Sequence, residues 1–188
     1  MTDTQPRLGE LLAYMDETRG HLMETVANIN PSFASIRPRD GAWSAAENLA
    51  HLAKVEAGVA GLIEKSVAWA RANEVGPPQS QSSVFTGFDG VKLPDKLEAP
   101  EMVRPDEDIP IEISVDSLQR SRERIREALL SSSDLDLSSV KRPHRVLGEL
   151  DMYKWVEFVA QHEERHRKQI DRTMREVTER AAECAPIV

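Results

Sequence analysis

The chain has 188 residues, 40% of them apolar, 5% aromatic and 30% charged, a size and balance that suit one domain, spanning 1–188, around a single core. Twenty-four basic residues against thirty-two acidic ones leave a formal charge of -8, and the basic residues of 120 to 126 and 165 to 175 alternate with Glu and Asp as on a solvated helix face, which excludes nucleic acid as an expected partner. The polar, acidic opening residues, the lack of a long apolar run and the single cysteine, Cys184, set the expectation of a cytoplasmic protein with no membrane segment and no intrachain disulfide.

Leu8, Leu11, Leu12, Met15, Leu22, Val26 and Ile29 recur in steps of three and four, predicting an amphipathic helix from about 8 to 29. Asp16, Glu17, Arg19 and Glu24 fall between them, and Pro31 closes the element because it disfavours helical geometry in its predecessor. Ser44 stands three residues before Glu47, the spacing of a capping box, so a second helix is predicted to start at 44, with Trp43 packing back on its first turn. Its apolar face carries Leu49, Leu52, Val55, Val59, Leu62, Ile63 and Trp69, and it should stop before Gly76 and the Pro77-Pro78 pair.

Residues 75 to 113 hold six of the eleven prolines together with Gly76, Gly87 and Gly90. Phe85, Phe88, Val91, Leu93, Leu97 and Met102 give this long connection something to bury, so it is expected to pack on the body of the protein, with room for a brief extended piece at Ile109 to Ile113. A third helix follows from about Val115 to Leu130, with Val115, Leu118, Ile125 and Leu129 on one side, arginines and glutamates on the other, and Asp116 in its first turn. The longest helix is predicted from about Glu149 to Ala181, with the stripe Met152, Trp155, Val156, Val159, His162, His166, Ile170, Met174 and Val177. At 1.5 Å per residue it would run to about 50 Å, so its end is expected to project or to pair with another chain. Four helices with one stripe each give an all-α four-helix bundle with a long proline-rich connection between helices two and three, and no sheet.

His162 and His166 lie one helical turn apart, on the same side and within the apolar stripe. Imidazoles directed into a bundle interior need partners, and one metal ion serves both; hydrogen bonds to neighbouring side chains are the alternative. His51, on the second helix with Asn48 and Val55 on its side, is weak on its own and gains weight because a bundle brings this helix within ligand distance of the fourth. Three imidazoles leave open positions on zinc or nickel, the pattern of a catalytic rather than a structural site. His21 is read as surface, and His144 as a cap or part of the cavity mouth. The run His162-Glu163-Glu164-Arg165-His166 also satisfies the H-E-x-x-H pattern of zinc peptidases, with Glu163 as candidate base and Glu179 as a distant third ligand, but the lack of a predicted sheet counts against a peptidase. Glu47, one turn before His51, is a second candidate proton carrier whose capping role competes for the same side chain.

The block Trp43-Ser44-Ala45-Ala46-Glu47-Asn48-Leu49-Ala50-His51-Leu52, and the later block His144 to Leu150 followed by Trp155, Phe158 and His162 to Ile170, resemble the DinB-like superfamily over roughly 6 to 180. The resemblance implies a four-helix bundle holding one zinc or nickel ion on three histidines, at positions matched here by His51, His162 and His166. It further implies, by way of some relatives, a thiol-dependent transferase or isomerase using bacillithiol, mycothiol or glutathione on a small-molecule substrate, and a homodimer. A metal-dependent hydrolase, or a non-enzymatic metal-binding stress-response protein, are the alternatives. In the transferase reading the metal lowers the pKa of the cofactor thiol, and Cys184 takes no part.

Overall fold

The structure is a computed structural model that describes residues 6–80, 98–106 and 108–183. Cys184 and the apolar residues Phe85, Phe88, Val91, Leu93 and Leu97 lie outside the described residues. Four helices dominate: α1 (Pro6–Ala27), α2 (Ala45–Ala72), α3 (Ile111–Ser131) and α4 (Met152–Glu183). A short antiparallel hairpin, β1 (Lys141–His144) with β2 (Gly148–Asp151), precedes α4 and pairs Lys141 with Asp151 and His144 with Gly148.

The helices form a four-helix bundle in which α4 packs against both α1 and α2, and α2 packs against α3. Cross-helix contacts give the directions. Thr25 reaches Asp171 and Arg19 reaches Glu163, so α1 and α4 run parallel. Asn48 meets His166 and His51 meets His162, so α2 and α4 are antiparallel. Arg122 reaches Glu56, and Arg71 reaches Ser131, so α2 and α3 are parallel neighbours. That last pair explains the proline-rich connection: α2 has 28 residues, about 42 Å at 1.5 Å each, and the chain must travel back along it before α3 can start. Gly76, just past the end of α2, bonds Asp136 at the far end of the bundle, whereas Val103 and Arg104 already contact His51 and Lys54 near the start of α2.

The capping box predicted for α2 is present in full. The Ser44 side chain accepts from the Glu47 amide at 3.1 Å, and Glu47 Oε2 accepts from the Ser44 amide at 2.8 Å. Several expectations are corrected. α3 starts at Ile111 with Pro110 at its N-cap, so 109–113 is no extended piece, and Glu112 rather than Asp116 is the acid of its first turn. Pro110 accounts for the shift, because a proline is tolerated at a helix start and its fixed φ leads into one. The hairpin was missed because strands of four residues each are too short to show a period; its return needs the left-handed backbone of Gly148, φ 72°. α4 consequently starts at Met152 rather than 149. Trp69 is 46% exposed and carries Arg142 over its ring at 5.3 Å instead of facing the core. Met102 is 82% exposed and does not pack on the body. The C-terminal end of α4 is not a free projection either: Arg180 donates to the carbonyls of Pro38 and Arg37, which lays the α1–α2 connection along it.

The core is layered. One apolar cluster gathers Leu8, Leu11 and Met15 of α1, Val59, Ala60 and Ile63 of α2, Ile125 and Leu129 of α3, and Met152 to Ala160 of α4. A second, nearer the start of α2, gathers Leu22, Ile29, Leu49, Leu52, Leu118 and Ile170. The histidines sit at the level of the second.

Candidate metal centre

His51, His162 and His166 come together from α2 and α4, each offering a ring nitrogen, with all three nitrogens within 4.8 Å of one another. His51 Nε2 lies 3.3 Å from His162 Nε2. Two nitrogens bound to one tetrahedral ion at about 2.05 Å stand about 3.3 Å apart, so this separation already matches that of two ligands. His51 and His166 are buried, at 4% and 7% exposure, while His162 is partly exposed.

The hydrogen bonds behind two of the rings, His51 and His166, decide their tautomers. His51 Nδ1 lies 2.7 Å from the Val103 carbonyl, an acceptor only, so Nδ1 carries the proton and Nε2 presents its lone pair. His166 Nδ1 lies 2.9 Å from Asn48 Oδ1. The Asn48 amide nitrogen is committed to the Ser44 carbonyl at 2.8 Å, which leaves Oδ1 to accept, so His166 also donates through Nδ1 and turns a bare Nε2 inward. Trp43 covers this side, its ring centroid 4.8 Å from His51 and 6.2 Å from His166, and Phe158 lies 5.3 Å from His162. Burial pushes all three imidazoles down, against the Val103 bond in the case of His51, and each of the other two is lowered further by its histidine neighbours; His162 falls to about 3. All three rings are therefore neutral at pH 7, the form in which imidazole binds a cation.

The other residues singled out from the sequence lie as follows. Glu47 is held by its own cap and by Arg37, whose Nε lies 2.9 and 3.1 Å from the two carboxylate oxygens; burial pushes its pKa up, but Arg37 and Ser44 outweigh this and hold it below the usual range. Glu163 is 1% exposed and turned toward Arg19 and Arg122, with Oε2 accepting from both and Oε1 without a hydrogen-bond partner among the described residues. Glu179 is exposed, thirteen residues and so about 20 Å beyond His166 along the helix, too far to share an ion. His21 is on the surface. His144 caps the hairpin turn, its Nδ1 accepting from the amides of Val146 and Leu147 at 3.2 Å, with its ring 4.7 Å from Phe158. Sequence reasoning placed Asn48 on the His51 side but gave it no role, and no signal in the chain could have pointed to the Val103 carbonyl.

A profile of the DinB superfamily matches residues 6–170, a stretch that takes in both helices of the histidine cluster. The chain belongs to the DinB superfamily. The chain is 25% identical over 174 residues to the uncharacterized protein YuaE of Bacillus subtilis (strain 168), a match covering 90% of this chain and 100% of YuaE. The fold is similar to the crystal structure of TT2238, a four-helix bundle protein, with a TM-score of 0.60 at 19% identity, covering 88% of this chain and 98% of that one. DinB-superfamily membership and the three-histidine cluster are together compatible with a metal-binding protein. No helix among the described residues is long and apolar enough to cross a membrane.

Proposed function

We propose that His51, His162 and His166 bind one divalent ion, zinc or nickel, through their Nε2 atoms, and that the protein is a thiol-dependent transferase acting on a small electrophile. One observation carries the metal reading: His51 and His166 are locked by Val103 and Asn48 in the tautomer that turns a lone pair toward a shared point. The two buried lone pairs of His51 and His166, with His162 Nε2 3.3 Å from His51 Nε2, need a proton or a cation between them. When bound, such an ion lowers the pKa of a coordinated thiol or water and leaves positions open for it.

The chain's own residues supply the surroundings. Trp43 and Phe158 present apolar rings to the histidines and limit water, and His162, the partly exposed ligand, marks the side from which a cofactor thiol would approach. No side-chain thiol of the chain is invoked. Glu47 and Glu163 are the candidate proton carriers if the reaction is instead a hydrolysis, and each would have to loosen its arginine contacts to serve. A second reading, a metal-binding protein without catalysis, is favoured by a specific observation. Two cavities, one along the α2 start and one in the α1–α3 cleft, about 360 and 730 Å³, are lined by Arg37, Glu47 and Asp108 and by Val26, Ile29 and Ile111 respectively, and among the described residues no histidine lines either of these two.

Metal analysis of the purified protein, followed by a screen of bacillithiol, mycothiol and glutathione against small electrophiles, tests both. Stoichiometric zinc or nickel with thiol-dependent turnover is expected. Stoichiometric metal with no turnover for any thiol would leave the hydrolase or the binding protein, and a protein that takes up neither ion would end the metal reading.

A further inference from the structure

Between the two apolar clusters each helix contributes one charged side chain to a closed ring: Arg19 from α1, Glu56 from α2, Arg122 from α3 and Glu163 from α4. Arg19 Nη2 lies 2.7 Å from Glu56 Oε2 and 2.7 Å from Glu163 Oε2. Arg122 closes the circuit, with Nε 2.8 Å from Glu56 Oε1 and Nη2 3.0 Å from Glu163 Oε2, while its Nη1 donates to the Met15 carbonyl. All four side chains are buried, between 1% and 11% exposed. Two positive and two negative charges leave no net charge inside.

The ring occupies the same level on every helix. It follows Met15 and precedes Leu22 on α1, follows Ala53 and precedes Val59 on α2, falls between Leu118 and Ile125 on α3, and between Ala160 and Ile170 on α4. Glu163 sits in the very turn that carries His162 and His166, and Glu56 is five residues past His51. We propose that this ring is the register device of the metal centre, with Arg19, Glu56, Arg122 and Glu163 acting as positioning residues for His51, His162 and His166.

The physical argument is directional. The apolar layers above and below are built from Leu, Ile, Val and Ala, whose burial is rewarded with little regard to angle, so they resist an axial slip of one helix weakly. Since α2 and α4 are antiparallel, His51 meets His162 at one register only. A slip of one turn, about 5.4 Å, would break every hydrogen bond that Glu163 makes and strand buried charges. Well-packed apolar residues often replace a buried ion network without loss of stability, so stability alone does not account for the ring. This inference rests on the metal reading for its purpose, but the register itself can be measured without metal.

The test uses the full chain in which the ring is replaced by apolar residues of similar size, Arg19→Met with Glu56→Leu, Arg122→Met and Glu163→Leu. Unfolding midpoint, zinc affinity against a competing chelator, and NMR contacts between the His51 and His162 rings in the metal-free protein are compared with the unmodified chain. The expected result is a cooperatively folded protein of equal or higher midpoint whose ring contacts are lost or averaged and whose zinc affinity falls by roughly 10-fold or more. Unchanged contacts and unchanged affinity in a folded variant would overturn the proposal. Should the quadruple variant not fold, Glu163→Gln, which keeps an acceptor oxygen and removes the charge, is judged by the same two readouts: averaged ring contacts support the proposal and unchanged ones overturn it. If the unmodified chain binds no zinc, the metal reading fails, and the ring contacts still decide the register.

Discussion

The two halves of α4 are built on different principles. From Met152 to Ala160 all but one of the residues are buried, and most are apolar or aromatic. From His162 onward only Glu163, His166, Ile170, Thr173 and Val177 are buried, one per turn, and the first two are polar. The first half holds by area removed from water, and the second by a few directional contacts to α1, α2 and α3. The difference teaches where each kind of substitution should hurt: volume matters below Glu163, and partner and geometry matter above it.

The sharpest way to break this contrast is at the ligands. His166→Ala should abolish stoichiometric zinc or nickel binding, since two imidazoles leave the ion without its third protein ligand, while the metal-free fold survives; full metal retention in an elemental analysis would contradict the assignment. Next in size comes Arg122→Ala, which leaves Glu56 and Glu163 buried with half their compensation. It should cost about 3–5 kcal/mol in denaturant unfolding, against about 0.5–1.5 kcal/mol for Ile63→Val in the lower cluster. Equal costs would erase the distinction between the two regions. Smaller again is Asn48→Ala, which frees the His166 ring from its tautomer lock. Metal affinity should fall by about 10–100-fold with k-off rather than stoichiometry changed, measurable by chelator competition.

How much of this was legible in the sequence follows from which forces leave a period in it. Apolar stripes at steps of three and four revealed all four helices, and the capping box at Ser44 and Glu47 fixed the start of α2 to the residue. The spacing of His162 and His166 and the family pattern at His51 led directly to the cluster now seen. Arg19 and Arg122 were misplaced, because a charged residue amid other charges reads as solvated, and nothing in one helix reveals a counter-charge on another. Glu163 stands in the sequence as a candidate base, and for the same reason the two arginines that hold it leave no sign there. The Val103 carbonyl, as a backbone group, carries no residue signature at all.

Glu157 is the polar exception in the apolar half of α4, and it offers the finest test of the comparison. It is 3% exposed, accepts from Gln161 at 3.1 Å, and has no hydrogen-bond partner at Oε2 among the described residues. Burial raises its pKa to about 7, with Lys154 opposing and Asp151 reinforcing. The native state thus keeps a proton that the unfolded chain releases near 4.5, so this group's contribution is complete below pH 4.5 and is lost as pH rises to about 7. His162 runs the other way: its folded value near 3 lies below the ordinary 6.5, so in the metal-free protein its contribution is complete above pH 6.5 and is lost as pH falls toward 3. Replacing Glu157 by Gln removes the first titration and leaves the second. The variant should match the unmodified chain below pH 4.5 and exceed it above pH 7 by on the order of 1 kcal/mol, in urea unfolding across that range. A difference independent of pH would mean that Glu157 is ionised in the folded protein, and that water or a partner reaches into the buried half of α4.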